Sequence, residues 1–394
     1  MRSAWTFRAT TAGVDDEHGR VRGRCAAGVR GDAARFERRP APALRARGAL
    51  VLDRSVRADP SRTIAAHETR SSTARRGTPF ALRSEVGIAL LSGRRLSLAL
   101  GAGAGLCVTT AVLAARSPRR DQRRVLGMLS GLGGAAVAIG AWARFVEPRW
   151  IAVTTTRVPW RGPALRVALL TDIHARAGDR GRIRRIVRRT NALDADLVLI
   201  GGDFVDGLDA DPPKLDALAP LASLACRLGV FAVLGNHDSD PSAGEAGREA
   251  PIRRCVENAG IRILQNEHVE LGDGVVLVGL GSWRAGESES AQAFASVVRD
   301  APTLVLMHSF QSLRTPSVPH FDLALAGHTH AGQACIPFTE ICPFLEGDMK
   351  PYRYGLYDWP SGGKLYVSAG LGTSSVPARI GARPEIALIE LIPR

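Results

Sequence analysis

Residues 200–206 read Ile200-Gly201-Gly202-Asp203-Phe204-Val205-Asp206 and close the apolar run Leu197-Val198-Leu199-Ile200. A short run without polar alternation fits a strand buried on both faces in a parallel sheet. The two glycines let the chain turn sharply and leave Asp203 at the carboxyl end of the strand, where ligands gather in open α/β sheets. A carboxylate at that point can touch two cations, one through each oxygen. Asp203 is expected to be such a bridge.

Outward from this strand, the pattern from residue 165 onward alternates short apolar runs with amphipathic stretches. Strands are expected over 166–170, 196–200, 229–234, 303–307, 323–326, 364–368 and 385–391. A hairpin is expected over 269–280, around Gly272-Asp273-Gly274. Helices are expected over 182–190, 252–259 and 291–298, and over 215–224, where Pro220 would kink the last one. Alternating strands and helices, followed mostly by strands, predict a layered α/β fold with two packed sheets.

Polar residues recur at the same end of these strands. The first strand delivers Asp172-Ile173-His174, the second Asp203 and Asp206, and the third Gly235-Asn236-His237-Asp238. Later strands deliver His308 and Gly327-His328-Thr329-His330. Five of the nine histidines lie at these ends; packing alone does not explain that, because a buried polar group is costly without a partner. Asp-x-His and His-x-His place both side chains on one face of an extended segment. Mixed oxygen and nitrogen donors suit Mn, Fe or Zn. The expected allocation is Asp172, His174, Asp203 and His330 for one metal, and Asp203, Asn236, His308 and His328 for a second. His237 is expected to assist the leaving oxygen, with Asp206 orienting its ring.

Together these five motifs resemble the calcineurin-like metallophosphoesterase superfamily, and the resemblance runs through residues 165–394. It is strongest to bacterial membrane-associated or exported members, on Arg123-Arg124, Glu147-Pro148 and the run Leu365-Tyr366-Val367-Ser368-Ala369-Gly370-Leu371-Gly372. The resemblance implies a four-layer αββα sandwich of two mixed sheets flanked by helices. It also implies two divalent or trivalent metal ions and metal-dependent phosphoester hydrolysis. Gly207 stands where protein Ser/Thr phosphatases carry a phosphate-gripping arginine, which counts against a phosphoprotein substrate. A small-molecule or lipid-linked phosphoester is expected instead. The competing reading is a catalytically silent module that binds a phosphorylated ligand; retention of both His237 and Asp206 speaks against it.

The formal net charge is +14. Residues 165–394 carry 23 basic and 27 acidic side chains, so the excess belongs to the first 164 residues and the C-terminal part suits a cation site. Only Lys214, Lys350 and Lys364 are lysines, a skew that argues against a selected nucleic-acid surface. Residues 1–95 are rich in Arg, Ala, Gly, Ser and Pro and are expected to be disordered, or to precede the true start. Residues 96–115 and 125–143 are uncharged runs separated by an arginine-rich connector. A membrane hairpin is expected over 96–145, or a twin-arginine-like signal anchor, with a linker over 146–164. Two buried globular helices are the alternative. A cytoplasmic connector would put the catalytic domain on the extracytoplasmic side of the cell membrane. Cys335 and Cys342 stand close together in a loop, and either a disulfide or two free thiols fit.

Overall fold

The computed structural model describes residues 93–394, apart from 208, 240–246, 316–317, 337–338, 340 and 346. The expectation for residues 1–92 lies outside them. Residues 93–95, expected to belong to that segment, already form part of the first helix.

Helices α1 (Gly93–Arg116) and α2 (Arg120–Ala141) form a hairpin. Arg123 closes its turn by donating to the Ser117 carbonyl at 2.9 Å. Close packing depends on small residues: a Cβ on Gly133 would stand 2.6 Å from Cys107 Sγ. Ser130 Oγ donates to the Cys107 carbonyl, which adds a polar tie between the helices. Large apolar side chains point outward instead of into a core, Leu98 being 72% exposed. Both helices are long and apolar enough to cross a membrane. Among the described residues they are not a pair of buried globular helices. Helix α2 runs on into a π-helical turn, Trp142–Val146, and a 3-10 turn, Glu147–Arg149.

Two six-stranded sheets follow. The first contains β1 (Ala152–Trp160), β2 (Leu165–Leu170), β3 (Leu197–Ile200), β4 (Val230–Ala232), β5 (Arg262–Ile263) and β12 (Glu385–Pro393), in the order β1-β12-β2-β3-β4-β5. The second contains β6 (Glu267–Gly272), β7 (Val275–Gly279), β8 (Thr303–Leu306), β9 (Leu323–Ala326), β10 (Gly355–Asp358) and β11 (Lys364–Val367), in the order β10-β11-β9-β8-β7-β6. In each sheet the central strands are parallel and at least one antiparallel pair is present, so both sheets are mixed. Between them lies an apolar layer that includes Leu169, Leu199, Leu277, Leu306 and Leu325. Residues one step along each strand point to the opposite face. There α3 (Arg180–Asn191), α4 (Pro212–Leu218) and α5 (Glu249–Asn258) cover the first sheet. The outer face of the second sheet is covered by α6 (Ser290–Phe294) and by short 3-10 turns. This is the αββα order of layers. The Pro220 break is present: α4 stops at Leu218 and a 3-10 turn carries residues 219–223.

One expectation needs correcting. Residues 146–164 are not merely a linker, because β1 lies within them and pairs with β12 along its whole length. Its Val and Thr residues suit a half-buried strand, and Pro159 is tolerated because β1 is an edge strand. Cys335 and Cys342 form a disulfide.

Candidate metal centre

Because β2, β3, β4, β8 and β9 run parallel within their sheets, their carboxyl ends carry the polar residues to one place. His174 Nε2 lies 3.1 Å from His330 Nε2 and 3.3 Å from Asp203 Oδ2. His330 Nε2 lies 3.5 Å from Asp172 Oδ1. Beside this group, His308 Nε2 lies 3.0 Å from Asn236 Oδ1, 3.0 Å from His328 Nδ1 and 3.4 Å from Asp203 Oδ2. Asp172, His174, Asp203 and His330 form one candidate ligand group, and Asp203, His308 and His328 a second; within each, the ligating atoms lie within 4.8 Å of one another.

Asp203 belongs to both groups, but not as the sequence suggests. Both histidine sets face the same oxygen, Oδ2, while Oδ1 accepts the His237 backbone N–H at 2.9 Å. The backbone of the next strand end engages the second oxygen, so Oδ2 is the oxygen that both histidine sets face.

The backbone is arranged to allow this crowding. Asp172, His174, Asp203, His328 and His330 all have positive φ, between 42° and 72°. Each such residue costs on the order of 1 kcal/mol or more and persists only where the surroundings enforce it. Two hydrogen bonds to one side chain provide part of that enforcement: Asp238 accepts the Phe204 N–H at 2.8 Å and the Gly235 N–H at 2.9 Å. Burial and the neighbouring Asp203 push the Asp238 carboxyl up to about 7. Gly235 itself leaves room for Asp203, since a Cβ there would collide with the Asp203 carboxylate and stand 2.6 Å from its backbone nitrogen. Gly235→Ala is therefore expected to lose about 1–3 kcal/mol of stability through overpacking and to weaken metal affinity at least about tenfold, the scale of a displaced ligand support. Metal titration of the variant checks this; wild-type affinity would show that Asp203 does not sit where described.

The donor set fits cations. His308 donates Nδ1–H to the Gly201 carbonyl at 2.8 Å, which turns the lone pair of Nε2 inward. That lone pair then faces the Asn236 and Asp203 oxygens and the His328 ring. Acceptors this close repel one another unless positive charge lies between them. Burial, then the neighbouring His308 and Arg284, lower His328; burial, then His174 and Arg379, lower His330, so both imidazoles stay neutral. Burial alone would raise Asp203, but the positive charge that His308, His237 and His174 can carry as imidazolium outweighs it and holds the carboxyl well below its ordinary range. Neutral His328 and His330 and an ionised Asp203 are the protonation states metal ligation requires. His174 Nδ1 and His328 Nε2 are buried without a hydrogen-bond partner among the described residues.

His237 stands beside the cluster, its ring edge-on to His174 with centroids 4.9 Å apart. Its Nδ1 meets the Gly207 carbonyl at 3.1 Å and its Nε2 lies 3.4 Å from Ser374 Oγ. Asp206 does not orient this ring, contrary to expectation. Its carboxylate is ion-paired with Arg176 at 2.6 Å and lies 3.7 Å from His174 Nδ1. The turn at Gly207, with φ 82°, carries the carbonyl that meets the ring instead.

Two contributors escape a reading by motif. Arg379 is fully buried and donates to the carbonyls of Gly372, Ala369 and Ala382 at 2.8–2.9 Å, with Nη2 3.2 Å from His330 Nδ1. Gln333 clamps Ser374, accepting its N–H at 2.8 Å and donating to its carbonyl at 2.9 Å. No local signal marks either residue, because their partners are distant in sequence.

A layered αββα fold with an Asp/His cluster at its strand ends defines a metallophosphoesterase. Residues 165–332, which carry most of the two sheets and the ligand cluster, match the family model of the calcineurin-like phosphoesterases. An uncharacterized metallophosphoesterase of Helicobacter pylori is 33% identical over 237 residues, 58% of this chain and 60% of the relative. A transmembrane protein with metallophosphoesterase domain from Danio rerio is 31% identical, over 61% of this chain and 56% of the relative. The UDP-2,3-diacylglucosamine pyrophosphatase LpxG of Chlamydia muridarum is 26% identical, over 62% of this chain and 90% of the relative. The chain thus spans about three fifths of the length of the first two relatives.

Proposed function

We propose that the chain is a membrane-anchored hydrolase of phosphoesters that works with two metal ions sharing Asp203. The observation that carries this reading is the placement of Asp203 Oδ2 within 3.4 Å of His174 Nε2 on one side and His308 Nε2 on the other. Asp172, His174 and His330 would complete one coordination set, and Asn236, His308 and His328 the other. Bound there, two divalent cations would supply Lewis-acid polarisation of a phosphoryl oxygen and a water acidic enough to attack near neutral pH.

The protein's own residues do the rest. The Gly201 carbonyl holds His308 in one tautomer. Asp172 accepts the His328 N–H at 3.0 Å and so fixes the turn that presents both histidines of that motif. His237, fixed through Nδ1 by Gly207, points Nε2 towards Ser374 beside the cluster. From there it can hand a proton to the departing oxygen.

Membrane anchoring is supported by α1 and α2, whose apolar side chains lack a core to bury them among the described residues. An extracytoplasmic catalytic domain is supported by the arginine-rich connector and by the Cys335–Cys342 disulfide, a bond that persists in oxidising compartments. The substrate is proposed to be a phosphoester on an acylated carrier. The chlamydial relatives, named for a diacylated UDP-sugar, support that class.

A panel of phosphoesters presented to the full chain in detergent, loaded separately with Mn, Fe and Zn, tests the reading. Bis(p-nitrophenyl) phosphate is expected to be cleaved faster than a phosphoserine peptide. The opposite order would refute the substrate class. Tight binding of inorganic phosphate with no turnover under any metal would favour the silent binding module.

A further inference from the structure

Exposed apolar side chains stand both just past α2 and around the Cys335–Cys342 disulfide. Ile336, Ile341 and Phe344 are 50%, 56% and 44% exposed. Phe145, Val146 and Trp150, just past α2, are exposed as well. Backbone pairing ties the two sets to one edge of the molecule. Residues 379–382 run between them: Arg379 N–H donates to the Ala143 carbonyl at 2.8 Å, and Ala382 N–H to the buried Glu147 carboxylate at 2.9 Å. On the other side, Cys335 N–H donates to the Ile380 carbonyl at 2.9 Å. The loop therefore starts roughly two strand spacings, about 10 Å, from the end of α2.

The depth of this edge follows from helix length. About 20 helical residues cross a hydrocarbon core of about 30 Å. Counted from Val125, where the arginine-rich connector ends, the far boundary falls near Arg144. Trp142, Phe145 and Trp150 stand around that level with Arg149 and Arg383, and the Arg383 guanidinium lies 4.0 Å over the Trp150 ring. Aromatic rings with arginines at a helix end are the composition of a membrane–water boundary. The loop lies beside that boundary.

The same loop begins at the site. Gln333, two residues before Cys335, clamps Ser374, which faces His237.

We propose that Ile336 and Ile341, with Phe344 just past Cys342, seat the disulfide-closed segment in the headgroup region of the bilayer, holding the mouth of the metal centre against the lipid surface. The occupant of this apolar face is the bilayer itself. A phosphoester whose acyl chains stay in the membrane would then reach the centre without leaving it. The inference rests on the anchoring reading above and gives it a second contact.

The full chain is reconstituted in vesicles of phosphatidylcholine and phosphatidylglycerol with p-benzoylphenylalanine in place of Ile341 or Phe344, and irradiated. A lipid adduct is expected at both positions, several-fold above that at Val298, which is 68% exposed and belongs to neither the loop nor the α2 end. Retention of the chain after alkaline carbonate extraction, with no lipid adduct above the Val298 level, would overturn this proposal and leave anchoring intact. A protein–protein adduct at Ile341 and Phe344 instead would overturn it in favour of a second copy. Release of the chain by carbonate would overturn anchoring and this proposal together. Hydrolysis of bis(p-nitrophenyl) phosphate, measured in parallel, reports separately on the hydrolase reading.

Discussion

Asp203→Ala is expected to leave the protein folded, strip it of metal and lower phosphodiester hydrolysis by at least about 10³-fold, or about 4 kcal/mol in the barrier. The size of this effect comes from the position of one oxygen. Asp203 Oδ2 lies 3.3 Å from His174 Nε2 and 3.4 Å from His308 Nε2, so removing it takes a ligand from both coordination sets. What remains of the two ligand groups is a set of imidazoles with a single carboxylate, Asp172, and burial raises the pKa of that group. Too little negative charge is then left to offset the dehydration of a divalent ion. The variant also frees the His237 N–H that Oδ1 accepts, but Asp238 still holds Phe204 and Gly235 together. The fold should survive for that reason. Elemental analysis and circular dichroism of the purified variant check the two halves of the prediction. Full activity in Asp203→Ala would rule out the shared-ligand mechanism.

The second large effect is expected from His237→Ala, with the opposite signature. Metal content should stay at the wild-type level, while turnover falls by about 10²–10⁴, the usual range for a general acid. The separation is possible because the ring is held by Gly207 and faces Ser374, outside both ligand groups, although its backbone N–H supports Asp203. Alanine keeps that N–H. A phosphodiester with a good leaving group, such as p-nitrophenolate, needs less protonation, so the deficit should shrink with leaving-group acidity. Loss of metal from His237→Ala would assign the ring to coordination instead.

The convergent Asp/His cluster is legible in the sequence because its members announce themselves at fixed spacing after buried strands. Leu197–Ile200 and Leu323–Ala326 are apolar without alternation, and Asp, Asn or His follows such runs repeatedly. A polar residue there has no reason in packing, which is why Asp172, His174, Asp203, Asn236, His308, His328 and His330 could be picked out together. The strand β1 was not legible, because its Thr-rich alternation resembles a polar connector and its partner β12 lies at the other end of the chain. The partner of Asp206 is hidden for a similar reason. Its neighbour Arg176 is one arginine among many in an arginine-rich chain, and only the folded backbone brings their side chains together. Arg379 is illegible on the same ground, although it is buried and braces the segment from Ala369 to Ala382 beside His330. Spacing along a strand can be read locally; partners supplied by other loops cannot.

The most direct measurement is an anomalous-scattering map of crystals of the Mn-loaded chain. Two peaks are predicted, one on each side of the Asp203 carboxylate, the first beside His174 and His330 and the second beside His308 and His328. A single peak, or peaks away from Asp203 in fully loaded crystals, would contradict the account.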